Sequence, residues 1–75
     1  MKCSDVLRVM GRHDALIQVG YGVPSNYKKS GIMKVGNVTM KHIDRWDFRR
    51  YVGGLYPRVD KQGREYLFIN LFDER

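Results

Sequence analysis

The stretch from Arg64 to Phe72 constrains the fold more than any other part of the chain. In an extended strand, Tyr66, Phe68 and Asn70 point one way and Leu67, Ile69 and Leu71 the other, because strand side chains alternate with a period of two. Both sides are largely apolar, so this strand needs cover on both faces and is expected to be central in its sheet. Just before it stands Leu55-Tyr56-Pro57-Arg58-Val59, separated from it by Asp60-Lys61-Gln62-Gly63. Asp opening the turn and Gly closing it predict a hairpin with a type I turn and a bulge. Pro57 lacks an N–H and marks its strand as an edge strand.

Upstream, Ser4-Asp5 followed by Val6-Leu7-Arg8-Val9-Met10 and Gly11 predicts a helix over residues 4–10. Ser4 would cap it, Gly11 would stop it, and Val6, Val9 and Met10 would share its buried face. Residues 13–21 read either as a buried strand or as a second helix, since a short apolar run has no decisive period. Val23-Pro24-Ser25-Asn26 is a turn or a helix start, and Tyr27-Lys28-Lys29-Ser30-Gly31 a basic loop or helix end. Ile32-Met33-Lys34-Val35 and Val38-Thr39-Met40-Lys41 flank Gly36-Asn37, which predicts a second hairpin. Residues 43–52 read as a helix, with Asp44 early and Arg49-Arg50 late, although the spacing of Trp46 and Phe48 suits a strand. The expected fold class is α+β: one domain over residues 1–75, with a small antiparallel sheet ending in the 55–72 hairpin and one or two short helices packed on it.

At 75 residues the domain has a thin core and little room for a deep catalytic pocket. No paired carboxylates, nucleophile triad or phosphate-cradling glycine loop is recognisable, so a binding protein without a cofactor is expected rather than an enzyme. Two histidines and one cysteine make no metal-ligand pattern. The lone Cys3 argues for a reducing compartment. The lack of a long apolar run argues for a soluble, cytoplasmic protein without membrane contact, and a monomer is favoured over a dimer.

The net charge of +6 is not evenly spread. Residues 28–50 carry seven basic side chains (Lys28, Lys29, Lys34, Lys41, Arg45, Arg49, Arg50) against two acidic ones, whereas residues 51–75 carry four of each. Such a segment raises encounter rates with polyanions or acidic proteins; a solvated surface that keeps a small domain soluble is the simpler account. The candidate contact residues for a partner or a phosphate backbone are Tyr27, Lys28, Lys29, Lys41, Arg45, Trp46, Arg49 and Arg50. Trp46, set among arginines, is either an interface anchor or a core residue. Tyr27, beside two lysines, is either a stacking platform for a base or a loop tyrosine.

Two nucleic-acid readings follow. Residues 5–10, 13–20 and 24–30 as three helices, with the C-terminal hairpin as a wing, would make a helix-turn-helix DNA-binding repressor of Cro type. Gly20 and Gly22 count against the second of those helices. Alternatively the basic segment binds RNA or a single strand without sequence preference.

From Met1-Lys2-Cys3-Ser4-Asp5-Val6 to Phe72-Asp73-Glu74-Arg75, the chain resembles in size, basicity and general make-up the small RNA-polymerase-binding transcription regulators of lytic Xanthomonas bacteriophages. The resemblance rests on no compact motif and assigns no residue a role. It implies a protein that binds host bacterial RNA polymerase, inhibits initiation and promotes antitermination.

Overall fold

The computed structural model describes residues 1–74. Helix α1 (Cys3–Met10) leads into strand β1 (Leu16–Tyr21), then the short strands β2 (Lys28–Lys29) and β3 (Met33–Lys34). Helix α2 (Met40–Asp47) follows, and the chain closes on strands β4 (Arg50–Val59) and β5 (Glu65–Asp73). Single 3-10 turns occupy Pro24–Asn26 and Val35–Asn37. The described residues form an α+β fold with two α-helices and one small sheet.

The sheet runs β2-β1-β5-β4, and β3 pairs with β1 as well. β5 is central and β4, which carries Pro57, is at the edge, as the hydrophobic pattern and the proline required. The hairpin is the predicted one with longer arms, reaching from Arg50↔Asp73 to Val59↔Glu65. Its turn is closed by the Gly63 N–H bonded to the Asp60 carbonyl at 3.1 Å, with Gly63 at φ 81°. The sheet is mixed rather than antiparallel, because β1 lies parallel to β5, from Ile17↔Leu67 to Gly20↔Asn70.

Period-two alternation then sorts the strand residues onto two faces, with a one-residue bulge between Val52 and Gly54 of β4 that resets its parity. Ile17 and Val19 of β1 and Ile69 and Leu71 of β5 form the buried face. Both helices cover it, contributing Cys3, Val6, Leu7 and Trp46. Burial of these apolar groups is the main stabilising term, at roughly 25 cal/mol per Å² removed from water. The N-terminus is tied to this layer by Lys2, whose Nζ donates to the carbonyls of Asp47 (3.1 Å) and Arg50 (2.9 Å) and to Glu74 Oε1 (2.9 Å).

Several local expectations are corrected. Helix α1 ends at Gly11 (φ 62°) as expected, but its cap position is Lys2, whose N–H donates to Asp5 Oδ2 at 3.0 Å. Its buried face is Cys3, Val6 and Leu7 with Met10 packed alongside, while Val9 is 85% exposed. Residues 16–21 are a strand, so the helix-turn-helix arrangement is not formed. The Gly36-Asn37 hairpin is not formed either. Met33 and Lys34 pair with Ile17 and Leu16 of β1 instead, and the Gly36 N–H bonds to the His13 carbonyl at 2.9 Å. Thr39 then starts a helix, with its N–H donating to His42 Nδ1 at 3.1 Å. That helix starts ahead of the predicted 43–52 span, at Met40, and stops inside it, at Asp47, because residues from Arg50 onward join the sheet.

Candidate functional site

Both helices lie on one side of the sheet, so the other side has no helical cover. The register identifies its residues, since partners directly across a ladder share a face. Gln18, Phe68 and Tyr56 form one row; Lys29, Gly20, Asn70 and Gly54 form the next. Tyr66 stands beside Arg58, Phe72 beside Tyr51, and Leu16 beside Lys34. Among the described strand residues, this face carries three cations, Lys29, Lys34 and Arg58, and no Asp or Glu. The acidic strand residues Glu65 and Asp73 share the parity of Leu67 and Leu71 and fall on the helix side.

At its centre lies Phe68. Lys29 Nζ is 5.7 Å from its ring centroid and Arg58 Cζ 5.2 Å. Arg58 also sits 6.0 Å from the Tyr56 centroid. These are cation–π distances, each worth about 0.5–2 kcal/mol according to exposure. They hold two positive charges against a ring that is only 7% exposed. Phe68 is thus the floor of the site, while Tyr27 (40% exposed) and Tyr56 (46%) present accessible rings. Gln18, Tyr27, Lys29, Arg58, Tyr66 and Phe68 line a cleft of about 220 Å³.

Tyr27 is fixed from its tip: its hydroxyl bonds to Asn70 Oδ1 at 2.7 Å. Burial pushes its ionisation upward, against the opposing charge of Arg58, so the phenol stays neutral and able to donate. The end of the β2 segment is held by Ser30, whose Oγ accepts from the Val19 N–H at 2.9 Å and whose N–H donates to the Val19 carbonyl at 2.7 Å.

The fold disperses the basic segment 28–50. Tyr27 and Lys29 reach the uncovered face, together with Lys34. Lys28 pairs with Tyr21 and so takes the opposite parity. Lys41 and Arg45 belong to α2, on the helix side. Arg49 stands at the turn out of α2 with φ 55°. Arg50 is engaged, its Nε on Asp73 Oδ1 at 2.9 Å, its Nη1 on the Arg45 carbonyl at 2.6 Å, and its guanidinium over the Tyr21 ring. Trp46 is 2% exposed and stacks on His42 at 5.3 Å, so it is a core residue and not an interface anchor.

Sequence reading missed Arg58, Tyr56, Tyr66, Phe68 and Asn70 as site residues. The signal lay in the alternation of β5, whose Tyr66-Phe68-Asn70 face is more polar and aromatic than its Leu67-Ile69-Leu71 face. Charge counting by segment hid Arg58, because residues 51–75 are neutral as a whole. No family model matches the chain, and searches of curated proteins and of solved structures likewise return no match.

Proposed function

We propose that this domain binds nucleic acid through the helix-free face of its sheet. The observation that supports the reading best is the sorting of charge by face: Lys29, Lys34 and Arg58 stand with Tyr27, Tyr56, Tyr66 and Phe68 on one surface where, among the described strand residues, there is no carboxylate. Cations meet phosphates and rings meet bases, which is the composition a nucleic-acid groove requires.

The test is fluorescence anisotropy with labelled oligonucleotides between about 50 and about 200 mM salt. With three phosphate-facing cations, the slope of log affinity against log salt is expected near −2 for a single strand. The double substitution Lys29→Glu with Arg58→Glu should cost at least about tenfold in affinity and flatten the slope. The pair Lys41→Glu and Arg45→Glu, on the helix side, should leave affinity within about twofold, since phosphate contact falls off within a Debye length. Absence of binding by any oligonucleotide at the lowest salt defeats the reading.

A second reading is the host RNA polymerase regulator implied by the whole-chain resemblance. A separate observation favours it: Phe48, 69% exposed at the end of α2, packs under Arg49 at 5.5 Å. An exposed aromatic–arginine pair is the side-chain type found at protein hot spots. A nuclease-resistant polymerase band in a bacterial pull-down, lost on Phe48→Ser with Arg49→Glu, would support this role; capture that disappears with nuclease would remove it.

A further inference from the structure

On the uncovered face, aromatic rings lie where glycine leaves room beneath them. Tyr27 precedes β2, yet its hydroxyl reaches Asn70 on β5, the strand beyond β1. Its ring must therefore pass over β1. It does so at Gly20, where an added Cβ would overlap the Tyr27 ring carbon Cζ at 2.7 Å and the Phe68 Cζ at 2.8 Å. Tyr56 leans back along its own strand over Gly54, where an added Cβ would meet its hydroxyl at 2.6 Å and its Cζ at 2.8 Å. A strand side chain normally stands off the sheet. These two rings instead lean over glycine, the Tyr27 hydroxyl on Asn70 and the Tyr56 hydroxyl over Gly54, the ladder partner of Asn70, and both stay partly exposed, Tyr27 by 40% and Tyr56 by 46%.

A ring leaning over glycine offers a π-face, and a π-face is used by an unstacked base. In a duplex the base faces are occupied by neighbouring base pairs, and only edges are available in the grooves. We infer that the ligand of this face is single-stranded, with Tyr27 over Gly20 and Tyr56 over Gly54 as its base-stacking positions. Gly20 and Gly54 are thereby positioning residues. Lys29 and Arg58, held over Phe68 between the two rings, face the phosphates that join the stacked nucleotides. The inference rests on the nucleic-acid reading above and narrows its ligand to an unpaired strand of either sugar.

The experiment compares a labelled uridine oligomer, a thymidine oligomer of the same length and a duplex, each titrated with the full chain. Either single strand is expected to bind at least about tenfold tighter than the duplex, and the two single-strand arms distinguish RNA from DNA. Tyr56→Leu and Tyr27→Leu, which leave the backbone intact, should each weaken single-strand binding by about tenfold and leave duplex binding within about twofold. Gly54→Val, which lifts the Tyr56 ring, should match Tyr56→Leu, with circular dichroism checking that the sheet is retained. Duplex binding equal to single-strand binding, or leucine variants with undiminished affinity for single strands, overturns this inference while leaving nucleic-acid binding intact. Failure of all three oligonucleotides to bind removes the parent reading as well.

Discussion

Cys3 shows how position sets the chemistry of one residue. It is the only cysteine and is fully buried at the start of α1, within the core between α2 and the sheet. Burial, with a smaller contribution from the Asp47 carboxylate, pushes its thiol up to about 12. A thiol is nucleophilic only as the thiolate, so Cys3 has essentially no reactive form at neutral pH. We predict that iodoacetamide at about pH 8 leaves Cys3 unmodified in the native domain and labels it stoichiometrically in urea, read by mass spectrometry. Labelling of the folded protein at the rate of a free thiol would contradict that burial. Trp46 is the complementary case. Its setting among arginines was compatible with an interface or with the core, and nothing local distinguishes the two. The decision came from α2 turning that side chain onto β1 and β5.

Among the elements, the β4–β5 hairpin was the most legible, because its turn, its alternation and its proline all specify the same pairing. The turn is built on Asp60: its Oδ1 accepts from the N–H groups of Gln62 (2.9 Å) and Arg64 (2.8 Å), and its Oδ2 from Arg64 Nε (2.7 Å). The Arg64 backbone bond is the chief cause holding this carboxyl below its ordinary 3.8. A carboxylate depressed in the folded state contributes stability above its unfolded value, and that contribution is lost as pH falls through the lower folded value. Thermal melts should therefore show the native chain above Asp60→Asn at neutral pH, with the gap closing below pH 3.8. A gap constant across the acid range would mean that the ionised form is not what the turn uses. The Gly36-Asn37 segment also carried a local turn signal, and it failed. A hairpin signal specifies a turn only if its two arms are each other's best partners. Here β1, with free ladder positions at Leu16 and Ile17, took Met33 and Lys34.

At the scale of the whole molecule, one helical layer on one small sheet leaves a core of few side chains. Trp46 is the largest of those fully buried. Truncating it to alanine is expected to cost about 3–5 kcal/mol, a large share of the roughly 5–15 kcal/mol that holds a domain together. Urea titration followed by circular dichroism should show Trp46→Ala largely unfolded near body temperature; a midpoint close to that of the native chain would place the stabilising core elsewhere. The same architecture explains the candidate site. With both helices on one face, Tyr51, Tyr56 and Phe72 on the other stay exposed to solvent.

The sequence by itself determined the class of fold, the hairpin, the centrality of β5 and the edge position of β4, because period, turn chemistry and proline act over a few neighbouring residues. It also singled out Tyr27 and Lys29. Only the tertiary structure decided that β1 runs parallel beside β5, which strand takes Met33 and Lys34, and which face the helices leave bare. Those are choices among long-range partners, settled by which pairing buries Ile17, Val19, Ile69 and Leu71 against Trp46 and α1. That one burial event moved Arg58 next to Lys29 and drew Lys41, Arg45 and Trp46 away from them, which no count of charge along the chain can express.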